Sequence, residues 1–278
     1  MTVPTKTLPS GDELPAVGLG TYGMSDEETA ESVRAALDRG YTHIDTAEGY
    51  QNEAVIGDEI AEYDRDRLFL TSKVLAKNLN YESVIRSCET SLERLGTDYL
   101  DLYLIHWPNP AISLRETLQA MARLHERGLV RNIGVSNFTA YQLSCAHHIS
   151  DVPIAVNQIE FHPWFQRPAL VDYCHESGTV IEAAAALART EVFDDEVVTE
   201  LASKYDKSPA QIVLRWALDR DVVVLPRSTS ADHIESNIAI DWSLDEADRE
   251  RLDERDRGYP VYDTPTRDWT REVYGIEQ

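Results

Sequence analysis

A short apolar segment followed by an amphipathic one recurs eight times along this chain, and no other feature limits its fold so narrowly. LPAVGLGT leads to SDEETAESVRAALDRG, YTHIDTA to NEAVIGDEIAEY, LFLTSKV to NYESVIRSCETSLERLG, and LDLYLIHWP to ISLRETLQAMARLHERGLV. NIGVSNF then leads to TAYQLSCAHHI, PIAVNQIEFHP to ALVDYCHESG, TVIEAAAAL to VVTELASKYDKS with PAQIVLRWALDRD, and VVVLPRS to ADHIESNI. The first member of each pair is rich in Val, Ile and Leu with little alternation, as expected of parallel strands covered on both faces. The second member is helical; in the first unit Ser25 is a cap, Glu28 completes a capping box and Gly40 is a stop. Eight such units favour a closed (β/α)8 TIM barrel over an open doubly wound sheet. TKTLPSGDELPAV precedes them as a hairpin turning at Pro9–Asp12. An acidic helix over 244–258 and an aromatic tail follow. No composition shift divides the chain, so residues 1–278 are expected to form one α/β domain. The tail reads as a surface extension, and its Tyr259, Tyr262 and Trp269 leave open a role as a substrate lid.

In such a barrel the C-terminal ends of the strands converge on one face, where the chemistry is kept. Asp45 ends the second strand and Tyr50 lies in the loop after it. Lys73 is carried by the third strand and His106 by the fourth. Asp45 taken singly would suit a helix cap, and His106 a satisfied core histidine. Lys73 ends an apolar strand and demands a partner. Gathered together, the four make a proton-transfer site. A tyrosine is a weak acid near neutrality, with a pKa of ~10. A nearby ammonium favours its phenolate, and a carboxylate keeps that ammonium in place. A histidine can orient a carbonyl and donate to charge developing on its oxygen. The reaction expected is protonation of a carbonyl oxygen as a hydride reaches its carbon. That hydride must come from a nicotinamide, since no side chain supplies one.

The formal net charge of −23 argues against nucleic acid as a partner, because phosphate binding needs clustered cations. No stretch approaches the ~20 apolar residues required to span a bilayer, and the N-terminus has no basic-then-apolar signal pattern. Cys88, Cys145 and Cys174 are widely spaced without CxxC, suggesting neither a disulfide framework nor a zinc site. A cytoplasmic protein with no membrane association is expected. Lysine is confined to Lys6, Lys73, Lys77, Lys204 and Lys207, whereas acids are everywhere. That surface resembles those of proteins from high-salt cells, where self-repulsion is screened within a few ångströms. A halophilic protein that needs salt to fold is therefore expected. Gly18–Gly23 matches GxGxxG, the phosphate loop of Rossmann folds. Asp26, Glu27 and Glu28 in the following turn would repel a pyrophosphate, so these glycines are read instead as letting a ligand ring approach the first strand.

GLGTYG, HIDTAEGYQNE, TSKV, DLYLIHWP, IGVSNF, NQIEFHP and LPRSTSADHIESN stand in an order and spacing that resembles the aldo-keto reductase superfamily, in its short prokaryotic form, over nearly the whole chain. The resemblance implies an NADP-dependent carbonyl reductase with Tyr50 as general acid, tuned by Lys73 and Asp45, and with His106 orienting the substrate. It also implies that Ser136, Asn137 and Gln158 hold the nicotinamide carboxamide, with Gly20, Thr21 and Tyr22 near the ring. Arg227 and Ser228 match positions that bind the adenosine 2′-phosphate, and Asn237 one that touches adenine. Glu160 and His162 fall in a family motif that is structural at least as often as functional.

The residues support parts of this independently. Gln158 and Ser136-Asn137 end strands and suit recognition of an amide, and Arg227-Ser228 follows the eighth strand, where this fold binds phosphate. Two positions depart from the pattern. Ala184 replaces the aromatic, usually tyrosine, that stacks on the nicotinamide. His233 stands where NADP-preferring members often have a second arginine. NADPH is the cofactor expected, with NADH use left open.

Two other readings are a non-catalytic nicotinamide-binding module and a metal-dependent hydrolase using Asp45, His106, Glu160 and His162. The intact tetrad argues against the former. The latter lacks HxH and HExxH, and Lys73 would repel its cation, so no metal is expected. The substrate pocket is assigned to Tyr22, Tyr50, Trp107, Phe138 and Trp164, an aromatic wall suited to small carbonyl compounds such as keto-sugars, dicarbonyls and simple aldehydes. A monomer is expected.

Overall fold

The computed structural model describes residues 3–262. Trp269, for which a lid role is expected, lies outside the described residues. The chain begins with a hairpin of β1 (Thr5–Thr7) and β2 (Glu13–Pro15), antiparallel with Thr7 opposite Glu13. The barrel follows as β3 (Leu19–Gly20), α1 (Asp26–Asp38), β4 (His43–Asp45), α2 (Glu53–Ile60), β5 (Phe69–Val74), α3 (Tyr81–Leu95), β6 (Leu100–Ile105) and α4 (Leu114–Glu126). It continues with β7 (Val130–Ser136), α5 (Ala140–Ile149), β8 (Ile154–Glu160), α6 (Pro168–Ser177), β9 (Val180–Ala184), α7 (Glu196–Tyr205), α8 (Pro209–Asp219), β10 (Val223–Val224), α9 (Ala231–Ile238) and α10 (Glu246–Asp253).

The eight strands β3 to β10 pair in parallel in sequence order. The sheet closes on itself through a parallel bridge between Val17 and Val224, where Gly18 donates to the Val224 carbonyl at 2.9 Å and Val224 to that of Ala16 at 2.9 Å. Gly20 sits at this seam. A Cβ there would meet the Leu225 carbonyl at 2.9 Å, and one on Gly18 would meet the His43 ring at 2.6 Å. These two glycines serve closure of the barrel, and Gly20 also lines the groove described below.

Helix starts follow local chemistry. Capping boxes are formed at Ser25–Glu28, Thr139–Gln142 and Ser208–Gln211. Among the boundaries that differ from expectation, two lie near the ends of the barrel. LPAVGLGT is divided, with Glu13–Pro15 in the hairpin and only Leu19–Gly20 in the barrel. The helix expected over 244–258 is confined to Glu246–Asp253, because the chain then turns back. Arg255 bonds Asp195, and the amides of Arg257 and Tyr259 donate to the Trp164 carbonyl.

Alternate residues on a strand share a face, and two layers result inside the barrel. In the lower layer Leu8 and Leu14 of the hairpin join Phe69, Leu102, Leu104, Val156 and Val223 in one apolar cluster, which plugs the N-terminal mouth. The same period then delivers Asp45, Lys73, Gln158 and Glu182, all buried, to the layer above.

Candidate active site

Asp45 is held between two donors. Its Oδ1 accepts from Lys73 Nζ at 2.6 Å and its Oδ2 from Gln158 Nε2 at 2.9 Å. Lys73 has no exposed surface. It also donates to the Thr46 carbonyl at 2.9 Å and lies 3.4 Å from the Tyr50 hydroxyl. Tyr50 ends a single turn of 3-10 helix, Glu48–Tyr50, and the Glu48 carboxylate fastens that turn by accepting from Leu75 N and Asn78 Nδ2. The Tyr50 ring meets Tyr22 and His106 edge-on, with centroids 5.1 and 5.5 Å away. Asp45 and Lys73 from β4 and β5, His106 just beyond β6 and Tyr50 from its turn are thus brought into one contact group.

Electrostatics in the group run against one expectation. Burial, then Asp45, then Tyr22 hold the Tyr50 phenol well above its ordinary value, whereas Lys73 alone would have lowered it. The ammonium is closer to Asp45 than to the phenol, so the pair presents little net charge to Tyr50. His106 is pushed down to about 3, by burial first and Lys73 second, and is neutral near pH 7. Its Nδ1 is buried without a partner, which leaves Nε2 as the ring atom for hydrogen bonding.

Two connected cavities meet at this group. A groove of about 320 Å³ runs from Asp45, Tyr50 and Gln158 past Gly20, Thr21, Tyr22 and the wall Ala184–Leu187 to Arg227. A smaller pocket adjoins it, lined by Tyr50, His106, Trp107, Ser136 and Asn137. Ser136 and Asn137 clasp neighbouring strands. Ser136 Oγ donates to the Gln158 carbonyl at 2.8 Å, and Asn137 Nδ2 to that of His106 at 3.0 Å. Gln158 gives both its amide hydrogens away, one to Asp45 and one to Glu182 Oε2 at 2.9 Å. Only its carbonyl oxygen remains for a ligand, so the bidentate recognition expected of it is reduced to accepting.

Other expected residues lie elsewhere. Phe138 is a core residue at 1% exposure, and Trp164 donates to Asp195 while carrying the Arg257 guanidinium at 3.5 Å. Neither lines either cavity, because each packs beneath or beside the strand ends. Arg227 reaches the groove but donates to the carbonyls of Tyr22 and Gly23, at 2.9 and 3.1 Å. Ser228 forms a turn onto Ser230, the N-cap of α9, and His233 is exposed in that helix's first turn. Asn237 is buried with its Oδ1 unpartnered. Glu160 accepts from His162 Nε2 at 2.9 Å and from the amides of Val261 and Tyr262. This pair is bound to itself and to the C-terminal segment, separate from Asp45 and His106. Among the described residues no group of three or more His, Cys, Asp or Glu is placed to hold a metal.

Sequence reasoning missed Arg189 and Thr190, which line the groove, and had left Tyr262 only as an open lid. The backbone gives the signal in the structure: Ala185, Ala188, Arg189 and Thr190 all have positive φ, from 47° to 73°. Nothing in AAAALART announces it, since such positions ordinarily take Gly or Asn.

A nicotinamide dinucleotide fits this donor set. The groove is flat-walled by alanines, Gln158 keeps an acceptor at one end, Arg227 is a cation at the other, and Asn237 Oδ1 is a buried acceptor in need of a donor. The aldo/keto reductase family model matches residues 16–257. The chain is 41% identical over 253 residues to a glyoxal reductase of Bacillus subtilis, covering 90% of this chain and 91% of that protein. It is 39% identical over 245 residues to a methylglyoxal reductase of Salmonella typhimurium, covering 86% and 92%. An aldo-keto reductase of the silkworm Bombyx mori, solved with NADP, superposes with a TM-score of 0.90 at 34% identity, covering 97% of each chain. The chain belongs to the aldo/keto reductase family. It is an oxidoreductase of the kind that reduces carbonyl groups with a nicotinamide cofactor.

Proposed function

We propose that this chain is an NADPH-dependent reductase of small reactive aldehydes and ketones, 2-oxoaldehydes foremost, with Tyr50 as the general acid. The observation that carries it is the buried line from the Tyr50 hydroxyl to Lys73 Nζ at 3.4 Å and on to Asp45 at 2.6 Å, opening at a pocket that His106 also lines. A reduced nicotinamide, held by Gln158, Ser136 and Asn137, supplies the hydride. The chain's own part is protonic. Tyr50, neutral because burial raises it, donates its proton to the carbonyl oxygen, and Lys73 is near enough to stabilise the phenolate left behind. Neutral His106 donates a hydrogen bond to the same oxygen and fixes its direction.

The names of the two bacterial relatives support a dicarbonyl substrate, and the small aromatic pocket at Trp107 and Tyr22 agrees with one. Arg227 and the silkworm NADP complex support NADPH. A cytoplasmic location agrees with the three free cysteines, and no described helix is long and apolar enough to cross a membrane. Tyr50→Phe tests the reading: NADPH consumption with methylglyoxal should fall at least a hundredfold while the NADPH Kd is retained, as removal of a general acid costs about 10²–10⁴. Turnover close to wild type would dismiss Tyr50 as the acid. Comparing kcat/KM for NADPH and NADH decides the cofactor, and a clear NADH preference would remove the phosphate role given to Arg227.

A further inference from the structure

One wall of the long groove is unusual in its bareness. Ala184, Ala185 and Ala186 present nothing larger than a methyl group, yet both cavities are bounded there by a ring, that of Tyr262. This ring comes from the far end of the chain and its placement is specific. Glu160 pairs with Ala184 across β8 and β9, and the Glu160 carboxylate accepts from the amides of Val261 and Tyr262. The strand rung that bears Ala184 therefore also bears the anchor for Tyr262. His162 Nε2, 2.9 Å from Glu160, fixes that anchor in turn. The Arg189 guanidinium lies 5.7 Å from the Tyr262 ring centre, and Trp107 meets the ring edge-on at 6.4 Å. Upstream, Tyr259 N on the Trp164 carbonyl and Arg255 on Asp195 lash the same segment to the barrel.

From this geometry we infer that Tyr262, brought in by Glu160, is the aromatic wall against which the nicotinamide ring rests, and that cofactor binding and docking of the C-terminal segment are one linked equilibrium. The inference rests on the nicotinamide reading above. A planar heteroaromatic ring beside three alanines gains little contact, whereas a phenol face offers dispersion and quadrupole complementarity. Because Tyr262 is held by backbone bonds to one carboxylate, whatever favours the docked ring favours the docked segment. By reciprocity the docked segment strengthens cofactor binding to the same degree.

Equilibrium titration with NADPH, followed by calorimetry on the full chain, tests this without turnover. Tyr262→Ala should raise the Kd on the order of tenfold, as expected from the loss of a stacking ring, and Tyr262→Phe should leave it within about twofold. Adding Ala184→Tyr to Tyr262→Ala should restore tight binding, since the ring is then supplied from the other side of the same rung. In wild type, saturating NADPH should slow trypsin cleavage at Arg255 and Arg257; in Glu160→Gln that protection should diminish. An unchanged Kd in Tyr262→Ala, or a change only in the KM for the carbonyl compound, would overturn the inference while leaving the reductase reading intact. Failure of the folded wild-type chain to bind either NADPH or NADH would overturn both.

Discussion

Replacing Glu182 by Gln should abolish a fall in stability that the wild-type chain shows between about pH 4.5 and pH 8. Glu182 is fully buried on β9. Its carboxyl is pushed up to about 8 from 4.5, by burial first and Asp45 second, with Gln158 and Lys73 giving partial relief. The charge count inside the barrel explains why. Lys73 is engaged at 2.6 Å by Asp45, and His43, pushed down to about 4 by burial, is neutral. A second carboxylate has no cation left to pair with, so it keeps its proton.

Below the unfolded value near 4.5 both folded and unfolded chains are protonated, and the stability is fully present. Between 4.5 and 8 folding takes up a proton, so stability falls as pH rises, by up to about 1.4 kcal/mol per pH unit. Across the window this amounts to a few kcal/mol. His43 and His106 act with the opposite sign: each binds its proton only when unfolded, and so adds stability as pH climbs toward about 6.5. The His106 contribution and the general self-repulsion are common to wild type and Glu182→Gln and cancel in their difference, whereas His43 Nε2 lies 3.8 Å from Glu182 Oε1, so the decisive comparison is made above about pH 6.5, where His43 is neutral folded or unfolded. The substituted amide still offers an acceptor to Gln158 Nε2. Urea denaturation at fixed ionic strength from pH 5 to 9 supplies the comparison. The variant's advantage should grow steadily to about pH 8 and then level. An advantage that stays constant from about pH 6.5 to 8 would refute the assignment of a buried proton to Glu182.

Lys73→Met should lower stability by about 3–5 kcal/mol, because it strands Asp45 as an uncompensated buried carboxylate; adding Asp45→Asn should recover part of that loss in the same denaturation assay. Gly57→Ala should destabilise despite a helix-propensity gain of about 1 kcal/mol, since its Cβ would stand 2.5 Å from the Arg94 carbonyl of α3; a net loss of about 1–3 kcal/mol is expected for such overpacking. The melting temperature should climb from low to molar KCl as the charge of −23 is screened, and a flat curve would dismiss a requirement for salt.

The acid–base group was legible because it obeys strand arithmetic. His43 and Asp45, Thr71 and Lys73, and Leu104 and His106 each lie two residues apart, so burial of one face carries the polar residue at the strand end to the mouth of the barrel, with Tyr50 following in the loop after Asp45. The aromatic pocket wall was less legible for the same reason turned around. Phe138 and Trp164 lie beyond strand ends, where no period constrains direction, and hydrophobicity drew both into packing instead. Glu182 was passed over because a lone acid within TVIEAAAAL looks like a strand imperfection. Its meaning depends on Asp45 and Gln158, which are 137 and 24 residues away in sequence.

The groove wall was hidden by a different kind of physics. Alanines at 183–186 favour regular structure, yet Ala185, Ala188, Arg189 and Thr190 all adopt left-handed backbone, at a cost of roughly 1 kcal/mol or more for each non-glycine residue. Such strain persists only where surroundings over-determine it. Here Ala186, Ala188 and Val192 are buried, and Ala188 and Thr190 close tight turns onto Ala185 and Leu187 at 2.7 Å. Arg189 completes the set from above, over the Tyr262 ring. The loop thus holds its methyl-lined floor open at the very rung where Glu160 brings a ring in from the C-terminus. A chain with glycines at those four positions would adopt the same backbone without strain, but it would lack the buried Ala188 methyl that packs this loop onto the barrel.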